Sequence, residues 1–321
     1  MIKQPIIIVA GEPNSVFLEI FFKSIKFKNY KRPIIIIVSK KLLITQMKKL
    51  GFNFRINLLT ENFKDFKTLN NKKINIINVE YVYKKSFEAI SKKSNEYIKN
   101  CFNTALIYLK KNNLINFING PISKKHFLKR EFLGITEYLA SKTGRRNKVA
   151  MLIYNKKLSV SPITTHLPLK DVHNNLSKQK IINHVNLITD FYKEKFKKLP
   201  KIAITGLNPH CESNYKTSEE KRIIEPAIKT LIKKKIKVYG PFAADTIFMK
   251  KQSKKYDVII GMYHDQVLTP LKSLFGFNAI NITLGLPFIR ISPDHGPNYP
   301  MLGKNLSDPK SLIEALKFLD K

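Results

Sequence analysis

The chain has 321 residues, 43% of them hydrophobic, and a formal net charge of +35. That length and apolar content suit a globular enzyme of two subdomains and exclude a disordered polyelectrolyte, while no apolar run approaches the roughly 18 residues that span a membrane. Only seven of the 58 basic residues are arginine, and they and the lysines are scattered rather than gathered into an aromatic-interleaved patch, so no nucleic-acid partner is expected.

Residues 5–10 read as a first buried strand, too soon polar for a signal peptide. An amphipathic segment follows at 14–26, then a buried strand at 33–38, a short helix at 40–49 and a strand at 74–79. A long helix is expected over 86–111, which holds apolar residues at helical spacing and no proline. Residues 117–119 lead into the stop signal Gly120-Pro121, and a short helix after Thr136 ends at Gly144. Residues 148–154 and 158–163 look like adjacent strands, followed by a helix at 178–196 and a strand at 201–207. A helix at 225–235 tolerates Pro226 in its first turn and carries lysines in its last. The final helix starts after Ser307, read as its N-cap. This alternation predicts an α/β fold, a parallel or mixed sheet with helices on both faces. No subdomain boundary can be read along 1–321, and GxGxxG is absent, so no cofactor-binding residue is assigned. Cys101 and Cys211 form neither a framework nor a CxxC motif, which fits a cytoplasmic chain.

Three apolar runs, at 158–164, 202–207 and 258–262, are each followed closely by a histidine: His166, His210 and His264. If the strands are parallel, their carboxyl ends lie along one edge, where open α/β sheets place ligands. Neutral imidazoles gathered there suit a divalent cation with open coordination positions. Any one of them alone reads more simply as a surface histidine; their equivalent placement favours the metal. Asp245 and Asp265 are candidates for orienting these rings or for proton transfer, against a plain role in helix capping and turns. Lys272, Asn281 and Arg290 each fall beside a strand or loop boundary. A guanidinium retained in a lysine-rich chain suggests a bidentate anion contact, and the three together make a phosphate pocket.

Several stretches resemble the 4-hydroxythreonine-4-phosphate dehydrogenase family of vitamin B6 biosynthesis. They are GPISK at 120–124, TTHLPLKDV at 164–172, TGLNPH at 205–210, GPFAADT at 240–246, GMYHDQVLTPLK at 261–272, NITLGLPFIR at 281–290 and DHG at 294–296. The resemblance runs in the same order from Ile6 to Gly303. It implies two interleaved α/β/α subdomains with a cleft, as in isocitrate and isopropylmalate dehydrogenases, forming one catalytic unit and a homodimer with a shared active site. It also implies NAD-dependent oxidation of 4-phosphooxy-L-threonine at C3, then loss of CO2 to give 3-amino-2-oxopropyl phosphate. The metal ligands would be His166, His210 and His264, holding Zn, Mg, Mn or Co. Substrate contacts would be Thr136, Lys272, Asn281 and Arg290. Neither nucleic acid nor membrane is an expected partner.

The chain departs from the family in four places. Ile135 stands where a substrate-contacting histidine is usual, and the glycine-rich loops at 11–19 and 211–216 have lost glycines. Pro297-Asn298-Tyr299 replaces the usual Thr-Ala after DHG. Two other readings stay open: a dehydrogenase of another four-carbon phosphorylated hydroxy acid, such as threonate or erythronate phosphate, and a catalytically impaired metal- or ligand-binding relative.

Overall fold

In the computed structural model of the chain, the described residues are 4–128, 131–211, 216–276, 278–293 and 296–321. Asp294, His295 and loop positions 212–215, which the sequence reading drew on, lie outside them. The elements run β1 (Ile6–Val9), α1 (Phe17–Phe27), β2 (Ile34–Val38), α2 (Lys40–Lys49), β3 (Ile56–Leu59), β4 (Ile74–Asn78), α3 (Asn95–Lys111) and β5 (Asn116–Asn119). Then come α4 (Lys124–Phe127), α5 (Ile135–Lys142), β6 (Ala150–Tyr154), β7 (Ser159–Thr164), α6 (Lys178–Phe196) and β8 (Ile202–Thr205). The remainder is α7 (Glu225–Lys233), β9 (Val238–Phe242), α8 (Ala244–Ile247), α9 (Lys250–Ser253), β10 (Val258–Tyr263), α10 (His264–Phe275), β11 (Ile280–Leu284), β12 (Ile289–Ser292) and α11 (Lys310–Leu319).

The chain divides into two compact units, residues 1–138 with 287–321 and residues 139–286. In the first, the strand order is β3-β4-β2-β1-β5-β12 and every pairing is parallel. Its central strands are unbroken apolar runs, IIIV in β1 and IIIIV in β2, with every residue buried. Such runs belong to a parallel sheet covered on both faces, where alternation would leave polar groups in the core. The cover includes Phe17, Phe21 and Phe22 of α1 and Ile98, Phe102 and Ala105 of α3, all buried. In the second unit the order is β11-β6-β7-β10-β8-β9. There β6 pairs antiparallel with β11 and β7, and β7, β10, β8 and β9 are mutually parallel neighbours. The mixed sheet expected from the alternation is present, and β6 and β7 are adjacent as read.

Some boundaries differ from the sequence reading for visible reasons. The long helix begins at Asn95 rather than at 86, after the short turn Lys92–Ser94. Before it, the Ser86 carbonyl accepts Gln46 Nε2, the Glu88 N–H donates to Asn14 Oδ1, and Glu88 Oε1 accepts the N–H groups of Lys84 and Lys85. These backbone bonds go sideways, so the helical ladder cannot extend back. Ser307 is not the N-cap of α11; its N–H donates to the buried Glu19 Oε1 and its carbonyl accepts Lys23 Nζ, which pins it to α1. The helix starts at Lys310, with Pro309 in the cap position. Strands β3 and β9 went unread: β3 is a half-exposed edge strand, and β9 contains Gly240-Pro241.

His184 of α6 illustrates how tightly the second unit is sealed. Its ring is buried, Nε2 lies 2.6 Å from Ser161 Oγ of β7, and Ser161 Oγ in turn donates to the Met151 carbonyl. Burial, reinforced by the charge of Lys180, pulls its pKa from 6.5 down to about 3. Below pH 6.5 the unfolded chain takes up a proton that the native chain refuses. The stability is therefore complete above that pH and is lost as pH falls toward 3, by about 1.4 kcal/mol per pH unit at the steepest. His184→Gln is expected to flatten the fall of Tm between pH 6 and 4. Identical slopes for the two proteins would contradict it.

Candidate active site

The sheet of the second unit brings the three histidine-bearing edges side by side. β10 lies between β7 and β8 and is parallel to both, so the chain leaves all three strands at the same edge. His264 opens α10 directly after β10, His166 follows β7 by two residues, and His210 follows β8 by five. Both loop histidines have left-handed backbones, φ 52° at His166 and φ 57° at His210. Outside glycine, that conformation costs on the order of 1 kcal/mol or more and is tolerated where the side chain's direction matters.

The rings of His166 and His264 are 5.8 Å apart between centroids, inclined at 34°. Two imidazoles sharing one cation at about 2.1 Å would put their centroids roughly 5–6.4 Å apart, so the pair fits a common ion. His264 Nδ1 is 2.6 Å from Asp265 Oδ1, which leaves Nε2 as the nitrogen available to a ligand. His210 Nδ1 lies 3.8 Å from Asp245 Oδ2, an electrostatic contact between exposed groups and too long for a hydrogen bond. Among the described residues no three His, Cys, Asp or Glu side chains close into a metal cage. The structure thus pairs His166 with His264 and leaves His210 on an exposed turn at the neighbouring strand end.

Buried polar side chains hold these strand ends. Thr164 Oγ1 donates to the Met262 carbonyl, tying β7 to β10. Glu220 accepts the N–H groups of Leu207 and Asn208 and the Asn208 side-chain amide. Burial alone would raise its pKa, but the hydrogen bonds from Asn208 and Leu207 outweigh it and hold the carboxyl below its ordinary value. None of these residues was singled out from the sequence. For Thr164 and Asn208 the available signal was a polar residue at the end of a buried apolar run; Glu220, set in the polar stretch 216–222, carried none.

Of the proposed substrate contacts, Thr136 and Arg290 meet in the first unit. Arg290, on β12, is fully buried; its Nε donates to Asn119 Oδ1 at 2.7 Å and a terminal nitrogen donates to Thr136 Oγ1 at 3.3 Å. Burial lowers the guanidinium pKa to about 9, partly opposed by the charge of Glu137, so the group stays charged at neutral pH. Asn119, unread in the sequence, also donates to the Gly120 carbonyl and lines a cavity of about 450 Å³. Ser123, Ile135 and Ser292 share its wall, and Ile135 supplies an apolar face there. Gly120 is required by crowding, because a Cβ would sit 2.2 Å from the Ala10 carbonyl oxygen.

Lys272 and Asn281 belong to the second unit, on α10 and β11. Lys272 is not at a strand or loop boundary as read; it lies inside α10, which continues through Pro270. That proline removes one backbone hydrogen bond, a cost set against burial of Val267, Leu268 and Leu271 in the core that α10 shares with Ile153, Val160, Ala203 and Ile259 of the sheet. Asn281 is the second residue of β11, and its Oδ1 is buried with no hydrogen-bond partner among the described residues.

The family profile described as "Pyridoxal phosphate biosynthetic protein PdxA" matches residues 29–319. A 4-hydroxythreonine-4-phosphate dehydrogenase of Sulfurihydrogenibium sp. (strain YO3AOP1) is 41% identical over 322 residues, 97% of this chain and 95% of that protein. The solved structure of a putative 4-hydroxythreonine-4-phosphate dehydrogenase from Salmonella typhimurium superposes with a TM-score of 0.86 at 28% identity, covering 99% of this chain and 98% of that one. An isocitrate dehydrogenase from Methylococcus capsulatus matches at a TM-score of 0.50 and 9% identity, over 97% of this chain and 83% of its own, a likeness of fold alone. The profile matched over residues 29–319 and the relative 41% identical over 97% of the chain agree: the chain belongs to the PdxA family of pyridoxal phosphate biosynthetic proteins.

Proposed function

We propose that the chain oxidises 4-phosphooxy-L-threonine at its C3 hydroxyl, with NAD taking the hydride. The product, 2-amino-3-oxo-4-phosphooxybutanoate, then loses CO2 to give 3-amino-2-oxopropyl phosphate. The observation that carries this reading is the pairing of His166 with His264 at one sheet edge in a chain matched along its length by dehydrogenases of this name. His166, His264 and His210 would hold a divalent cation (Zn, Mg, Mn or Co), which when bound supplies Lewis acidity to the oxygen at C3.

The chain's own residues then have distinct tasks. Asp265 fixes the His264 ring through Nδ1 and, in the first turn of α10, sits favourably with the helix dipole. Asp245, exposed beside His210, is the candidate to take the hydroxyl proton. Arg290 presents Thr136 from a fixed, buried position, while Lys272 and Asn281 contribute a point charge and an amide toward the phosphate. Ile135 can donate neither a hydrogen bond nor a proton, so one polar contact usual in the family is absent. The functional protein is read as a homodimer with a shared active site.

The test is NADH formation with 4-phosphooxy-L-threonine, followed by absorbance, in the presence of chelator and after adding back Zn2+, Mg2+, Mn2+ or Co2+. Turnover abolished by chelator and restored by a metal is the expected result. Folded protein that turns over with none of them would overturn the reading.

A further inference from the structure

The carboxyl end of β8 is gripped from two sides by buried side chains. Glu220, 1% exposed, stands in the turn Glu220–Ile224 that precedes α7. Its Oε1 accepts the backbone N–H groups of Leu207 and Asn208 at 2.8 and 2.9 Å, and its Oε2 accepts Asn208 Nδ2 at 2.9 Å. From the other side comes Gln266, two residues beyond His264 on α10. Its Nε2 donates to the Gly206 carbonyl at 2.8 Å, and its Oε1 accepts Thr205 Oγ1 at 3.0 Å and the Met262 N–H at 2.7 Å.

Together these bonds fix residues 205–208, and His210 follows two positions later with its left-handed backbone. Gly206 leaves the clamp room: a Cβ there would lie 2.6 Å from Cys211 Sγ and 3.0 Å from Glu220 Oε1. A buried carboxylate is costly unless its acceptors are filled, and an apolar side chain would fill the same space more cheaply. What the carboxylate adds is direction, because it collects consecutive N–H groups of one turn and so sets where the chain heads next.

We propose that Glu220 and Gln266 are positioning residues that set His210 relative to His264, one by anchoring the turn and the other by joining that turn to the start of α10. This rests on the reading of the three histidines as one metal set. It extends that reading by naming the groups that fix the turn from which the third imidazole would reach the His166–His264 pair.

The test is titration of the metal-free protein with Co2+, followed by calorimetry and the visible spectrum of the bound ion. The proteins compared are wild type, His210→Ala, Glu220→Ala, Glu220→Gln and Gln266→Leu, each checked for fold by circular dichroism. Glu220→Ala is expected to weaken Co2+ binding by about 10- to 100-fold and to alter the spectrum. Glu220→Gln, which keeps an acceptor oxygen, should recover part of the loss. If His210→Ala weakens binding while Glu220→Ala and Gln266→Leu stay within about twofold of wild type, the positioning role is overturned and the metal set stands. If His210→Ala itself binds as wild type does, the metal set falls and the positioning role with it. Should Glu220→Ala not fold, Glu220→Gln and Gln266→Leu decide the matter by the same comparison.

Discussion

His264→Ala is expected to lose at least about 1,000-fold in kcat/KM while its circular dichroism and Tm stay close to wild type. The ring is 35% exposed, faces the His166 ring and lies against the exposed Asp265, so removing it opens no sealed cavity. Surface changes of that kind usually shift stability by no more than about 0.5 kcal/mol. Catalysis is another matter, because the proposed cation at the reacting oxygen would supply several kcal/mol and each 1.4 kcal/mol is about tenfold in rate. Asp265→Asn should fall between the two, since it keeps a polar group beside Nδ1 but weakens the charge that orients the ring. Steady-state kinetics on metal-loaded protein provide the measurement. Turnover of His264→Ala within tenfold of wild type would remove this ring from the reaction.

The histidine edge was legible because its logic is topological. Parallel strands share a direction, so residues just past their carboxyl ends must share an edge, and β7, β10 and β8 prove to be adjacent. What periodicity could not convey was that His166 and His264 face each other while His210 stands on an exposed turn, with left-handed backbone at both loop positions. Likewise Arg290 stood out by its scarcity, but its complete burial and its bond to Asn119 arise from β5 and β12 pairing across more than half the chain. Local patterns also misled where long-range bonds captured the backbone, as at Ser307, held by Glu19 and Lys23 of a helix near the other end of the sequence. Glu220 and Gln266 escaped notice because a buried polar side chain looks in sequence like a solvated one.

Arg290→Ala is expected to cost about 3–5 kcal/mol of stability, the range for truncating a large, fully buried side chain. The side chain is among the largest that are fully buried, so truncation leaves both a cavity and deprived acceptors, Asn119 Oδ1 and Thr136 Oγ1. At 2–4 °C of Tm per kcal/mol for a chain of this size, the shift should be roughly 10 °C. Arg290→Lys separates charge from shape. It retains a cation, but an ammonium on a flexible stem cannot reproduce the planar fork that reaches Asn119 and Thr136 together. Its Tm should therefore lie between those of wild type and the alanine variant, with KM for the phosphorylated substrate raised more than kcat is lowered. Thermal unfolding and steady-state kinetics on the two variants test both parts. An alanine variant melting within 2 °C of wild type would show that Arg290 contributes little to the packing of the first unit. A lysine variant with unchanged KM would show that the fork itself has no part in holding the substrate.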